Sequence, residues 1–272
     1  MSDCGVVTRV LIAAGFALSI WASIWASAGL AALDLEAADP AERGASTALA
    51  LVARFSPRPG GTAAVYGFKP FGLAEIDFAA VAVTVSAGRF PEGAVISYER
   101  LGAPSYAEQT WGLALGSGFG PVTVEPRLRV AGISAAGGFD DWAVLVDLAA
   151  RSRISRSLRV AAALENPLSL GLVRAKGSVP QRVRVGLGVL AADGLGFGFE
   201  MVKEPRFAAS FRSGVEWRAA GCFVVRSGVR TSPAVVSFGI GLAWKAVTLD
   251  WAVACDFELG VTYEAGLTVA WK

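Results

Sequence analysis

Apolar positions alternate with polar or small ones through the last third of the chain. Five runs show this pattern, over residues 207–217, 223–230, 236–244, 247–253 and 261–271. In the third run, Val236 and Phe238 alternate with Ser237 and Gly239. Successive side chains of a β-strand point to opposite faces, so a period of two predicts five strands joined by tight turns.

The same alternation extends upstream, with glycine or proline in many of the connections. Strands are predicted over residues 75–87, 94–100, 109–117, 122–130, 141–151, 158–165, 182–189 and 195–200. Together with the C-terminal runs these make thirteen strands. Single-chain bacterial membrane barrels close with an even number of strands. We therefore expect a fourteenth strand, either over residues 45–55 or over residues 62–69.

One face of the predicted strands is apolar and the other carries charge. The charged face shares its positions with glycine and small residues, as in a crowded lumen, whereas the apolar face carries the bulky aromatic residues that suit lipid. The predicted lumen-lining charges are Arg127, Arg129, Asp147, Arg182, Arg184, Glu200, Arg212, Glu216, Arg226, Arg230, Asp250 and Glu264. The alternative is a soluble antiparallel sandwich, in which the apolar face would lie inside.

Three tryptophans mark one end of the predicted strands. If the strands are joined by simple hairpins, Trp217, Trp244 and Trp271 all lie at the same rim. Tryptophan is enriched where a membrane barrel meets the lipid headgroups. We predict that these three residues belong to an aromatic girdle.

Composition supports the membrane interpretation. The chain is 54% hydrophobic and 18% charged, with a mean hydropathy of +0.51, which is more apolar than an ordinary soluble domain. No long apolar run follows residue 33. Apolar character that is spread as alternation suits strands, each of which needs only about 9 to 11 residues to cross a bilayer. The predicted fold is all-β, a transmembrane antiparallel β-barrel of fourteen strands.

The N-terminal residues predict export and a possible plug. Residues 1–32 resemble a signal peptide, with Arg9 before a long uncharged run, although the run also has the length of an uncleaved membrane anchor. Residues 33–72 are predicted to contain a plug and part of the first strand, and residues 73–272 to form the barrel. A flexible periplasmic tail is the alternative to the plug. The predicted location is the bacterial outer membrane.

An even strand number also predicts the orientation. Both termini then lie on the periplasmic side, so the rim with the three tryptophans is periplasmic. Residues 166–181 form the one long predicted loop and fall on the outer side, where long loops belong.

The chemistry of the sequence argues against catalysis. Histidine is absent and the three cysteines are scattered, so neither a zinc site nor a Ser-His or Cys-His pair can be assembled. No metal and no cofactor is predicted, and an enzyme in the barrel wall is the least favoured function. A net charge of +2 gives no indication of a nucleic-acid partner.

Two parts of the sequence resemble a known family. Residues 64–75 read AVYGFKPFGLAE, in which Pro70, Gly72 and Leu73 match the A-x-Y-W-N-P-A-G-L-A signature of PorV/PorQ-like outer-membrane proteins, relatives of FadL-type channels. Residues 226–231, 237–242 and 249–251 are similar to the last strands of that family. Lys69 stands where the family has asparagine.

This resemblance implies a FadL-like barrel with an N-terminal plug. The junction of plug and wall would lie at Lys69, Pro70, Gly72 and Leu73. The implied function is a channel for small hydrophobic compounds, and the alternative is a non-conducting scaffold or shuttle of a protein secretion system. The expected partners are outer-membrane lipid and the barrel-assembly machinery, with a hydrophobic small molecule or secretion-system proteins.

Overall fold

The computed structural model describes residues 60–73, 75–86, 93–168, 170–171, 173, 179–191, 194–220 and 222–271. The predicted signal peptide and the predicted plug before residue 60 lie outside these ranges. The strands are β1 (Gly60–Lys69), β2 (Asp77–Ser86), β3 (Gly93–Ala103), β4 (Tyr106–Phe119), β5 (Val122–Ala135), β6 (Phe139–Arg153), β7 (Leu158–Glu165), β8 (Arg182–Leu190), β9 (Leu195–Lys203), β10 (Ser210–Ala220), β11 (Phe223–Thr231), β12 (Ala234–Trp244), β13 (Val247–Asp256) and β14 (Gly260–Trp271). No helix among the described residues has the length and apolar character needed to cross a membrane.

The fourteen strands form one closed antiparallel barrel. Each strand pairs with its neighbours in sequence, and β1 pairs with β14 from Gly61↔Trp271 to Lys69↔Tyr263. The predicted strand number is confirmed. The first strand is the candidate at residues 62–69, whereas the candidate at residues 45–55 lies outside the described part of the chain.

Burial along the strands shows which face lies inside. On β12, the side chains of Val236 and Phe238 are 44% and 48% exposed, whereas Ser237 between them is only 8% exposed. The apolar side chains therefore point outward and the small or polar ones inward, the reverse of a soluble sandwich. This confirms the predicted membrane-barrel fold.

Several strands differ in extent from their predictions. The β5–β6 hairpin extends to Ala135 and Phe139, and it turns through Gly137 and Gly138, whose φ angles of 93° and 81° suit glycine. The residues added to β5, Ala131 to Ala135, are mostly small and therefore give only a weak alternating signal. Strand β10 begins at Ser210 rather than at residue 207, because a turn in which the Phe207 amide donates to the Glu204 carbonyl precedes it.

The predicted junction of plug and wall is wrong. Lys69 is the last residue of β1, and Pro70–Gly72 form a single 3-10 turn that leads through Leu73 to β2. Because β1 already belongs to the wall, Lys69, Pro70, Gly72 and Leu73 join two wall strands. The prediction failed because the inward residues of β1 carry no charge, so the strand lacked the alternation that identified the others.

Candidate functional site

Charged side chains line the interior of the barrel in three groups that bridge neighbouring strands. The first group joins β5 to β6. The Arg129 guanidinium donates to both carboxylate oxygens of Asp147, from Nε at 2.6 Å and from Nη2 at 2.8 Å. Glu125 lies between two arginines, 3.2 Å from Arg127 and 3.0 Å from Arg151. All five side chains are buried or nearly so, which makes these pairs far less screened than pairs in water.

The second group joins β7, β8 and β9 and extends past the end of β9. Arg184 is 1% exposed, with its Nε 2.5 Å from Glu200 Oε1 and its Nη1 3.3 Å from Glu165 Oε1. Arg182 lies one inward position before Arg184, at the start of β8, and contacts Glu165 at 3.3 Å and Glu204 at 2.6 Å. Arginine suits such sites because its planar fork serves two carboxylates at once.

The third group joins β10 to β13 through one arginine. Arg226 Nε lies 2.9 Å from Glu216 Oε2, and its Nη1 lies 2.8 Å from Asp250 Oδ1. Strand β12 runs between them and presents Gly241. A Cβ added at Gly241 would lie 2.5 Å from Asp250 Oδ1 and 3.3 Å from Arg226 Nη1. The glycine therefore leaves the space in which the two side chains meet.

The Gly241→Ala variant is expected to lose about 1 to 3 kcal/mol of unfolding free energy, since the added methyl displaces the Arg226–Asp250 pair. The Gly196→Ala variant is the control. Gly196 is also an inward glycine, but its Cβ would meet only ordinary contacts at 3.6 Å and beyond. The measurement is denaturant unfolding of the barrel in lipid. Equal losses in both variants would show that Gly241 has no special relation to the pair.

The three groups, together with Arg212 of β10, whose Nη1 lies 3.6 Å from Glu200 Oε2, form a belt with no net charge. It contains seven arginines and seven carboxylates, namely Arg127, Arg129, Arg151, Arg182, Arg184, Arg212, Arg226, Glu125, Asp147, Glu165, Glu200, Glu204, Glu216 and Asp250. We call this set the ion-pair belt. Most partners sit on the same strand or on adjacent strands, and Arg226 reaches Asp250 across one intervening strand. The belt therefore braces the wall and leaves little field across the lumen.

The structure places the remaining predicted charges on the same inner face. Glu264 is 7% exposed on β14. Arg230 is half-buried near the end of β11, where its Nε donates to the Pro233 carbonyl at 3.3 Å. Sequence reasoning missed Glu125, Arg151, Glu165 and Glu204 as site members, although Glu125 lies two residues before the predicted Arg127 and Arg151 four residues after the predicted Asp147.

An aromatic cluster covers part of the inner face on β1 and β2, and sequence reasoning missed it. Phe78 is fully buried, with its ring centroid 4.3 Å from that of Phe68 and 5.6 Å from that of Tyr66. Leu101 of β3 packs against this inner aromatic cluster. The lumen wall therefore carries an apolar patch on β1 and β2, flanked by the buried carboxylates of Glu99 on β3 and Glu264 on β14.

The three predicted girdle tryptophans lie at one rim with outward, exposed side chains. Trp217, Trp244 and Trp271 are 51%, 59% and 45% exposed, near the ends of β10, β12 and β14. Lys245 follows Trp244 in a turn, with its Nζ 5.1 Å from the ring centroid, which is within cation–π range. We call this end the tryptophan rim.

Comparison with solved structures identifies the class of the fold. The toluene transporter TbuX of Ralstonia pickettii is similar with a TM-score of 0.59 and 11% identity, over 88% of this chain and 98% of that one. The CymD monoaromatic hydrocarbon channel gives 0.60 and 10%, over 88% and 99%. The outer membrane protein Omp33 of Acinetobacter baumannii gives 0.51 and 8%, over 78% and 98%. The chain therefore has the fold of the outer-membrane β-barrels.

Comparison of the sequence with known families and curated proteins does not assign the chain to a family within this fold. No model of a known protein family matches the chain, and no curated protein sequence matches it. The finer resemblance to PorV/PorQ proteins stays a prediction.

Proposed function

We propose that the protein is an outer-membrane channel through which small apolar compounds pass, and that it carries out no enzymatic step. The observation that carries the proposal is the composition of the lumen wall. The ion-pair belt is neutral as a whole, so it offers no excess charge to attract an ionic solute. The inner aromatic cluster provides an apolar surface beside it. The similarity of the fold to TbuX and CymD supports the same class of solute.

The proposed orientation places the tryptophan rim on the periplasmic side. Support comes from the even strand number, which brings both ends of the barrel sequence to that rim. The turns at this rim are short, as at Lys245 and Ala246 between β12 and β13. The connection between β7 and β8 then lies at the outer rim.

The proposal is tested by uptake in cells whose own hydrocarbon channels have been deleted. Expression of the chain should speed the entry of labelled toluene, whereas a sugar of similar mass should enter no faster. Phe68→Ala should reduce toluene entry, because Phe68 is the half-buried member of the inner aromatic cluster. A carbonate-resistant, heat-modifiable band on detergent gels shows that each variant is a folded membrane barrel. A folded barrel that admits no toluene but copurifies with a large exported protein would support the scaffold function instead.

We also propose that an N-terminal plug fills part of the lumen. The ion-pair belt makes apolar contacts, rather than charge attraction, the interaction expected to hold this plug. The acidic residues Asp34, Glu36, Asp39 and Glu42 would be attracted to lumen arginines, but those of the belt already contact carboxylates within the wall. The apolar residues 45–55 match the inner aromatic cluster better. We therefore propose that the plug comprises residues 33–59 and not their acidic part alone.

Deleting residues 33–43 behind an intact signal is expected to leave a folded barrel with a higher conductance in planar bilayers. The physical reason is that a shorter segment fills less of the lumen. Deletion of the three-residue turn Pro70–Gly72 is not a suitable control, since it joins wall strands. Replacing the four acidic residues of the segment by their amides is the better control, because it keeps the volume and removes only the charge. Equal conductance of the deleted and full-length chains would show that the acidic residues 33–43 are not a plug.

A further inference from the structure

The connection between β7 and β8 begins with a residue that is fully buried. Asn166 is 0% exposed and has a φ of 48°, in the left-handed region that asparagine tolerates better than most residues. Its backbone amide donates to Asp147 Oδ1 at 3.0 Å. Asp147 is the belt carboxylate held by Arg129. The start of this connection is therefore fixed to the ion-pair belt.

The Asn166 side chain ties together two distant parts of the connection. Its Nδ2 donates to the carbonyls of Leu170 at 2.9 Å and Val179 at 2.8 Å. Its Oδ1 accepts from the Leu170 amide at 2.9 Å. Leu170 lies four residues further along the chain and Val179 thirteen, so one amide group holds both ends of the connection. We call these three residues the asparagine clasp.

The clasp holds apolar side chains against the inside of the barrel. Leu170 and Val179 pack against Ala131, Ala143 and Leu145, which are 1%, 0% and 0% exposed. These three residues share their side of β5 and β6 with Arg129 and Asp147, and that side is the inner face. The predicted outer loop therefore folds inward at these residues rather than projecting from the rim.

The same region of β6 extends beyond its pairing with β7. Among the described residues that pairing ends at Asp147↔Glu165, whereas β6 continues from Leu145 back to Phe139. The Val173 amide donates to the Trp142 carbonyl at 3.0 Å and so satisfies one backbone group of this stretch. Buried or lipid-facing backbone groups need such partners. The hydrogen bond from Val173 to Trp142 and the asparagine clasp together hold the β7–β8 connection in its inward position.

We propose that the asparagine clasp forms a constriction, at which Leu170 and Val179 set the width of the lumen and select uncharged apolar solutes of single-ring size. Both side chains are only partly buried, so part of each faces the pathway. Asn166 is a positioning residue, since it acts through the two apolar side chains. The solute class rests on the proposed channel function, whereas the narrowing rests on the contacts alone.

The test is the Asn166→Gly variant. Glycine keeps the left-handed backbone and removes the three side-chain hydrogen bonds. The equilibrium constant for release of the connection from the inner wall should therefore rise on the order of a hundredfold. Single-channel conductance in salt should rise, and a two-ring aromatic compound such as naphthalene should enter at a rate closer to that of toluene. Leu170→Phe should lower conductance and toluene entry. Gln181→Ala is the control, because among the described residues its side chain makes one exposed bond, to the Pro167 carbonyl, so the variant should behave as the wild type.

The outcomes separate the constriction from the channel function. Increased salt conductance in Asn166→Gly with no toluene entry in any variant would keep the constriction and overturn the solute class. Unchanged conductance and an unchanged ratio of naphthalene to toluene entry in folded Asn166→Gly and Leu170→Phe would overturn the constriction. If neither Asn166→Gly nor Leu170→Phe conducts salt, the constriction at the clasp would also be overturned, since the narrowest point of the lumen would then lie elsewhere.

Discussion

Replacing Arg184 by alanine is expected to lower the unfolding free energy of the barrel by about 3 to 5 kcal/mol, the usual cost of removing one partner of a buried ion pair. Arg184 is 1% exposed, and the side chain of its partner Glu200 is 0% exposed. Without the guanidinium, the Glu200 carboxylate would keep, within the described part of the chain, only its longer contact with Arg212, at 3.6 Å. Denaturant unfolding in lipid vesicles measures the loss.

Arg218→Ala is the matched control for this experiment. Arg218 also pairs with a glutamate, Glu216 at 3.1 Å, but its side chain is 62% exposed. An exposed pair contributes at most about 1 kcal/mol. If both variants lose the same stability, burial does not determine the strength of the belt, and the bracing role assigned to it is wrong.

Leu267→Arg is expected to cost about 2 to 4 kcal/mol, the cost of an arginine on the lipid face near the middle of the membrane. Leu267 is 41% exposed and points outward beside Val65 of β1. Its neighbour Thr268 points inward between Ala64 and Thr248, which are both small. Thr268→Arg should therefore cost less, because its guanidinium reaches the wet, ion-paired interior at the same depth.

The folding yield of the two variants in lipid gives the comparison. Because the residues are adjacent on β14, they lie at nearly the same depth and differ mainly in the face to which they point. Thr268→Arg folding as poorly as Leu267→Arg would show that the lumen at this height does not accept charge. The reverse order would mean that the inner and outer faces have been exchanged.

The strand number and the facing of side chains could be predicted from sequence because both depend on local alternation. In this barrel each strand pairs with its sequence neighbours, so a correct series of strands nearly specifies the sheet. The first strand stayed ambiguous, since Tyr66 and Phe68 occupy inward positions where other strands carry charge. An inward aromatic residue looks the same in sequence as an outward one.

The partners within the site could not be predicted. Arg127 is the residue directly across from Asp147 in the strand register, yet Asp147 accepts both hydrogen bonds from Arg129, two positions further along. Strand twist and side-chain length decide such diagonal pairs. Asn166 gave no signal either, because its contacts lie at separations of four and thirteen residues and follow no period.

The barrel can close only when both β1 and β14 have been synthesised, because these two strands pair with each other. All other pairs join consecutive strands, but Gly61 and Trp271 are 210 positions apart. Such a contact forms only after a large entropic cost and after both partners have been synthesised. A chain that stops before Gly260 retains two open strand edges, which lipid cannot satisfy and which invite aggregation. Interrupted synthesis should therefore yield degraded or aggregated chains rather than a smaller working pore.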